Sequence, residues 1–232
     1  FVFSGVGNAN VREIIRGTGL LLVEHDTSGG TPDGAFFFRS DRKPAPWNLH
    51  IKGADLMATY SALDAPVQQF EYKTDPAEAS ATVSGSAAER ITVVFSKGIE
   101  SIWEWDVATN SYLKFLSDGS PHTDADGTQI SVSNVVILTP NYVDKEGLPS
   151  AQIAGTMETA YVATGGKILQ GLFDATAFGA PIALSDGEGN PLYLTPGKTF
   201  VLLPPGAGST SAGVTPGVMT YLSGGEAISR NF

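Results

Sequence analysis

The chain has 232 residues, 42% of them hydrophobic and 9% aromatic, enough to bury a core and too many for a disordered chain. A formal net charge of −10, from 14 Lys and Arg against 24 Asp and Glu, with no clustered basic stretch, repels nucleic acid and anionic membrane surfaces on average, and neither is expected as a partner. Cysteine is absent, which removes disulfides, thiolate metal sites and thiol nucleophiles, and His25, His50 and His122 are too scattered to suggest zinc, so no cofactor is expected.

The first elements are mixed. The chain opens at Phe1-Val2-Phe3, already strand-like and with no initiator Met or signal peptide, and is expected to begin inside a larger protein. Asn10 as cap, Glu13 three residues on and Gly17 as terminator predict a short helix. Gly19 to Val23 and Phe36 to Phe38 read as strands, separated by the loop Thr27 to Gly34, and Leu56, Tyr60 and Leu63 predict a helix over Asp55 to Leu63.

Residues 1–73 are therefore expected as a partial mixed α/β domain. Residues 74–89, mostly small and polar, are expected as a linker. From residue 90 the period changes to two. Ile91, Val93 and Phe95 alternate with polar residues, and a hairpin is expected around Thr109-Asn110. Further strands are expected at 129–132, 135–138, 156–163, 167–172, 192–194 and 200–203, with tight turns at Gly165-Gly166 and Pro196-Gly197. The expected fold class is α+β, with the small mixed N-terminal region followed by a mainly antiparallel β domain, sandwich or barrel-like, over 90–205. Residues 206–232 read as a Gly/Ser/Thr-rich tail in which Val218 to Leu222 could add an edge strand.

Several segments carry candidate chemistry. Asp124-Ala125-Asp126-Gly127 and Asp186 to Asn190 begin like calcium loops but lack the rest of the twelve-residue pattern, and hairpin turns explain both. Glu24-His25-Asp26 offers acid and base groups, although His25 must face away from its neighbours on a strand. The segment from Phe38 to His50 is the most unusual in the chain. Two prolines stiffen a loop that displays Arg39, Arg42, Trp47, Asn48 and His50, groups able to hold a carboxylate, phosphate or sugar. The plainer alternative is that Trp47 plugs the loop onto the core while the arginines pair with the excess acids. Trp103 and Trp105 share one strand face and suit either sugar stacking or a core, and with Asp124 they complete the candidate ligand-binding set.

The chain resembles the YerB-like bacterial lipoprotein family, defined by domain of unknown function 3048 and its separate C-terminal domain. The matching blocks begin with Phe38-Arg39, Arg42 and Ala45-Pro46-Trp47-Asn48-Leu49, where Trp47 replaces the family's usual His. They continue through Val93 to Ser96, Trp103, Trp105-Asp106, Tyr112, Gly119, Asp124 and Asn134-Val135-Val136. The last block is Gly165-Gly166-Lys167, Gly171, Gly189 to Leu192 and Pro196 to Val201, with Phe200 where Trp is more typical.

The resemblance implies an extracytoplasmic, cell-envelope protein, secreted or tethered by a lipid anchor upstream of Phe1, and the Arg39 to His50 loop makes the expected function a non-catalytic binding or interaction module rather than an enzyme. Its expected partner is a cell-wall component or an envelope protein. The alternative is a hydrolase of envelope glycans or peptides, with Asp124, Glu104 or the Glu24 and Asp26 pair as acid and base.

Overall fold

A computed structural model describes residues 2–6, 9–17, 19–25, 35–64, 67–145, 147–177 and 179–232, and divides the chain into two compact units, Phe1–Pro66 and Val67–Phe232.

The first unit begins with a strand–helix–strand segment. Strands β1 (Val2–Ser4) and β2 (Val23–His25) pair in parallel, and helix α1 (Ala9–Arg16) lies between them in sequence, as parallel neighbours require a crossover. Asn10 lies within the helix, and Gly17 N–H closes it onto the Glu13 carbonyl at 2.9 Å. Arg12 ties α1 to β2 through a 2.7 Å ion pair with Glu24. A second pair, β3 (Phe37–Arg39) and β4 (Leu49–Ile51), forms an antiparallel hairpin that sets Phe38 opposite His50 and Arg39 opposite Leu49. Helix α2 spans Gly53–Thr59, two residues earlier in its start than the apolar spacing predicted. The expected loop Thr27 to Gly34 and the Asp26 carboxylate lie outside the described residues.

The second unit opens with a 3-10 turn (Pro76–Glu78), α3 (Ser80–Ser84), β5 (Ser86–Ala87) and β6 (Arg90–Ser96). Then follow β7 (Ile99–Asp106), β8 (Ser111–Phe115), β9 (Ser131–Val132), β10 (Asn134–Leu138), β11 (Tyr142–Lys145) and β12 (Leu148–Ala151). The remaining strands are β13 (Met157–Thr164), β14 (Lys167–Asp174), β15 (Ala183–Ser185), β16 (Thr199–Leu202), β17 (Val218–Ser223) and β18 (Glu226–Asn231).

Two six-stranded sheets dominate. One runs β15-β14-β13-β10-β16, with β5 also on β14, and the other runs β18-β17-β6-β7-β8-β9. They face each other across one core, in which Ile91, Trp103, Tyr112 and Met219 of the second sheet meet Val135, Ile137, Tyr161 and Ile168 of the first. Both sheets keep open edges among the described residues, so this is a sandwich rather than a barrel, and the fold class expected from the alternating pattern holds.

The first sheet is buried on both faces. Val135 and Ile137 enter the inter-sheet core, while Val136 and Leu138 enter a second cluster with Phe173, Leu184 and Leu194. Each such side chain contributes roughly 1.5–3 kcal/mol of burial, which is why this strand reads as an unbroken apolar run. Its pairing with β16 is parallel, an exception in a mainly antiparallel domain.

Residues 74–89, expected as a linker, instead pack: Ala79, Ala81 and Ala88 are fully buried, and a Cβ on Gly85 would stand 2.5 Å from the Ala81 carbonyl oxygen. Small side chains here allow close backbone approach. Val218 to Leu222, expected as an edge strand in a tail, forms most of β17, which lies inside its sheet between β6 and β18.

Candidate functional site

The loop between β3 and β4 forms the first candidate. The strands converge where Ser40 N–H donates to the Asn48 carbonyl at 2.8 Å, and the Arg42 N–H donates to Ser40 Oγ at 3.2 Å, bending the chain back. Arg39 Nη1 donates to Asn48 Oδ1 at 2.8 Å, which fixes the guanidinium across the base of the hairpin. His50 stacks on Phe38, with ring centroids 5.5 Å apart. The result is an open cleft of about 670 Å³ lined by Phe38, Arg39, Ser40, Asp41, Arg42 and His50.

The electrostatics of this cleft are its main property. Arg39, Arg42 and His50 are exposed, and the ion pairs among the described residues, Arg12–Glu24, Arg16–Glu13 and Arg90–Glu104, include neither arginine of the cleft. Two guanidiniums against the Asp41 carboxylate leave one net positive charge in a chain of net charge −10. Trp47 is 73% exposed, so it does not plug the loop onto a core. Asn48 does not line the cleft and acts by orienting Arg39.

The other candidates separate from one another. Trp103 is fully buried, donates from Nε1 to Ser101 Oγ at 3.0 Å and packs on Phe200 at 4.9 Å, so it offers no face to a ligand. Trp105, on the same strand face, is only half-buried and borders a second cleft of about 510 Å³ in the second unit. Asp124 is exposed in a hairpin turn, accepting from Ala125 N–H at 2.6 Å, and Gly127 follows with φ +86. That turn accounts for the sequence that resembled a calcium loop, and no group of three or more potential metal ligands occurs among the described residues.

Of the carboxylates named for hydrolysis, Glu104 and Glu24 are engaged in ion pairs, and Asp26 lies outside the described residues. Glu104 pairs with Arg90 at 2.9 Å, and Glu24 with Arg12. Asp106, Asp118, Asp126, Asp174 and Asp186 are held below the ordinary carboxylate range, chiefly by hydrogen bonds from their own turns. A general acid near neutral pH needs the opposite shift.

Asn134, named in the sequence only within a matching block and given no role, has a fully buried side chain bonded to Thr195 and Thr199. A lone amide at the head of the apolar run Val135 to Leu138 was the available signal. Sequence reading missed the residues that join Trp105 at the second cleft, because they come from turns far apart in the chain. Among the described residues, no helix is long and apolar enough to cross a membrane.

Residues 91–201 match a family model described as Protein of unknown function (DUF3048) C-terminal domain. The crystal structure of the YerB protein from Bacillus subtilis is similar, with a TM-score of 0.67 and 15% sequence identity, over 88% of this chain and 67% of that one. At that identity the likeness is one of fold. No curated protein sequence matches the chain.

Proposed function

Since the chain is a YerB-like member of the DUF3048 family, a family of unknown function, we infer that it is a non-catalytic binding module that recognises an oxyanion-bearing ligand through the β3–β4 cleft. The observation that carries this reading is that Arg39 and Arg42 stand exposed and, among the described residues, without carboxylate partners in an acidic chain. An acidic protein with more Asp and Glu than Lys and Arg has ample means to neutralise two guanidiniums internally. Leaving both without a carboxylate keeps the N–H donors that Asn48 does not take available for the recognition of carboxylate or phosphate.

The reading includes a location outside the cytoplasm, at the cell envelope, where phosphate- and carboxylate-bearing polymers are abundant ligands. Cell fractionation tests that part. Binding is tested by titrating the full chain with a poly(glycerol phosphate) oligomer over a range of salt. The expected isotherm is saturable and weakens as salt rises, since the contact lies at an exposed surface. Binding that is absent, or that is indifferent to the R39A/R42A double substitution, overturns the reading.

A further inference from the structure

The cleft beside Trp105 has a different chemistry. It opens at one end of the sandwich, where the β7–β8 turn (Asn110), the β13–β14 turn (Thr164, Gly165) and the connection before β16 (Thr195) meet the 3-10 turn at Pro76. Its lining contains no Lys, Arg or His, a single carboxylate from Asp75, one indole, and otherwise hydroxyls, an amide and small apolar groups.

The indole is held in place. Trp105 meets Tyr112 edge-on at 5.0 Å, and Gly166 packs so closely that a Cβ there would stand 2.8 Å from Trp105 Cδ1 and Nε1. The indole N–H has no hydrogen-bond partner among the described residues, so the ring combines a fixed apolar face with an unspent donor.

The polar groups around it are also partly unspent. Asp75 Oδ1 accepts from Ala77 N–H at 2.9 Å, which orients the carboxylate and leaves its second oxygen open. Thr164 donates its hydroxyl to Thr195 Oγ1 at 2.7 Å, leaving the Thr195 proton free to point outward. Thr82, in the same wall, has a buried hydroxyl with no hydrogen-bond partner among the described residues, an unsatisfied group that calls for an explanation.

We propose that this cleft binds a neutral saccharide, one pyranose ring stacked on Trp105 with its hydroxyls bonded to Asp75, Asn110 and Thr195. A pyranose has an apolar C–H face and an equatorial rim of hydroxyls that both donate and accept, which matches an indole ringed by carboxylate, amide and hydroxyl groups. An anion is disfavoured because the only charge in the lining is negative. The volume suits one or two sugar rings and lies within the usual range for small-ligand sites. The site is independent of the Arg39 cleft, and either can fail without the other.

The test uses the full chain, cellotriose and tri-N-acetylchitotriose as probes, and the indole N–H resonances of Trp47, Trp103 and Trp105. Titration with at least one probe is expected to move the Trp105 resonance saturably and leave Trp103 unmoved. W105A lowers affinity about tenfold or more, as removal of a central aromatic anchor does, and R39A/R42A leaves it unchanged. Because W105A removes a packed ring, N110G carries the test if that variant does not fold: glycine keeps the left-handed turn residue at φ +49 and removes only the amide. The proposal is overturned if neither trisaccharide moves Trp105, if N110G and D75N both bind as tightly as the parent, or if tetramethylammonium takes the saccharide's place on Trp105.

Discussion

Asn134 and Thr195 are bonded to each other twice: Asn134 Nδ2 donates to the Thr195 carbonyl at 2.8 Å, and Thr195 N–H donates to Asn134 Oδ1 at 3.1 Å. The pair fixes something that the apolar residues of β10 cannot. Val135 to Leu138 are buried on both faces, so a one-residue slip would leave apolar side chains in both cores, and hydrophobicity alone does not specify the register. A buried amide does specify it, because any slip strands it without partners. Replacing Asn134 with Ala leaves the half-buried N–H and carbonyl of Thr195 unpaired. It should cost about 1–3 kcal/mol, read as a lower urea midpoint, and should broaden the amide resonances of β10 and β16.

Asn48 plays a comparable part in the first unit on a smaller scale. Its side chain accepts from Arg39 and takes no direct place in the cleft. N48A should therefore weaken binding of the poly(glycerol phosphate) oligomer several-fold by freeing the Arg39 rotamers, while the urea midpoint stays within experimental error because the contact is exposed.

Gly166 is required by both its backbone and its neighbour. It sits at φ +72, second in a two-residue turn with Gly165 at φ +61, the primed geometry that suits a hairpin. G166A should cost more than the roughly 1–2 kcal/mol expected for a left-handed non-glycine residue, because the new methyl also meets Trp105. A denaturant titration measures the loss, and a shift in tryptophan emission locates it.

Acid stability follows from the turn aspartates. Side-chain hydrogen bonds from Thr109, Ser120, Thr176 and Asn190 lower Asp106, Asp118, Asp174 and Asp186 respectively, and the Thr128 N–H lowers Asp126, each from an ordinary value of 3.8. Above that value these carboxyls are ionised in both folded and unfolded chains, and their contribution is complete. As pH falls through 3.8 the unfolded chain takes up protons first, so stability declines until the folded carboxyls protonate as well. Urea midpoints should be level from about pH 7 to 5 and fall below about pH 4. The combined D106N/D174N variant should show a shallower fall, and an equally steep one would assign the decline to other groups.

The fold was most legible where local chemistry decides it. Asn110 at φ +49 and the Gly165-Gly166 pair are turn residues whose backbone needs are visible in one dimension. Gly224-Gly225, with φ +60 and +82, carried the same signal and joins β17 to β18. It escaped notice because β18, Glu226–Asn231, is a mostly exposed edge strand with little apolar pattern. The parallel pairing of β10 with β16 could not be seen from either segment, since Asn134 and Thr199 are partners only through the fold. Residues 74–89 were misleading for a physical reason: alanine, serine and glycine serve a flexible chain and a tightly packed one equally well.

The candidate sites divide along the same line. The Arg39 to His50 loop lies within one hairpin and could be read as a unit. Trp103 and Trp105 look alike in sequence, two residues apart on one face. Only the position of Trp105 at the strand end separates a half-buried ring from a core residue.

On the proposed reading the two units carry two binding sites of different chemistry. The most direct measurement is calorimetric titration of the full chain, R39A/R42A and W105A, each with the poly(glycerol phosphate) oligomer and with the trisaccharide that moves Trp105. The arginine variant is expected to lose affinity only for the anionic ligand and W105A only for the saccharide, each by about tenfold or more. Loss of both ligands in a folded single variant, or of neither in both variants, would contradict that reading.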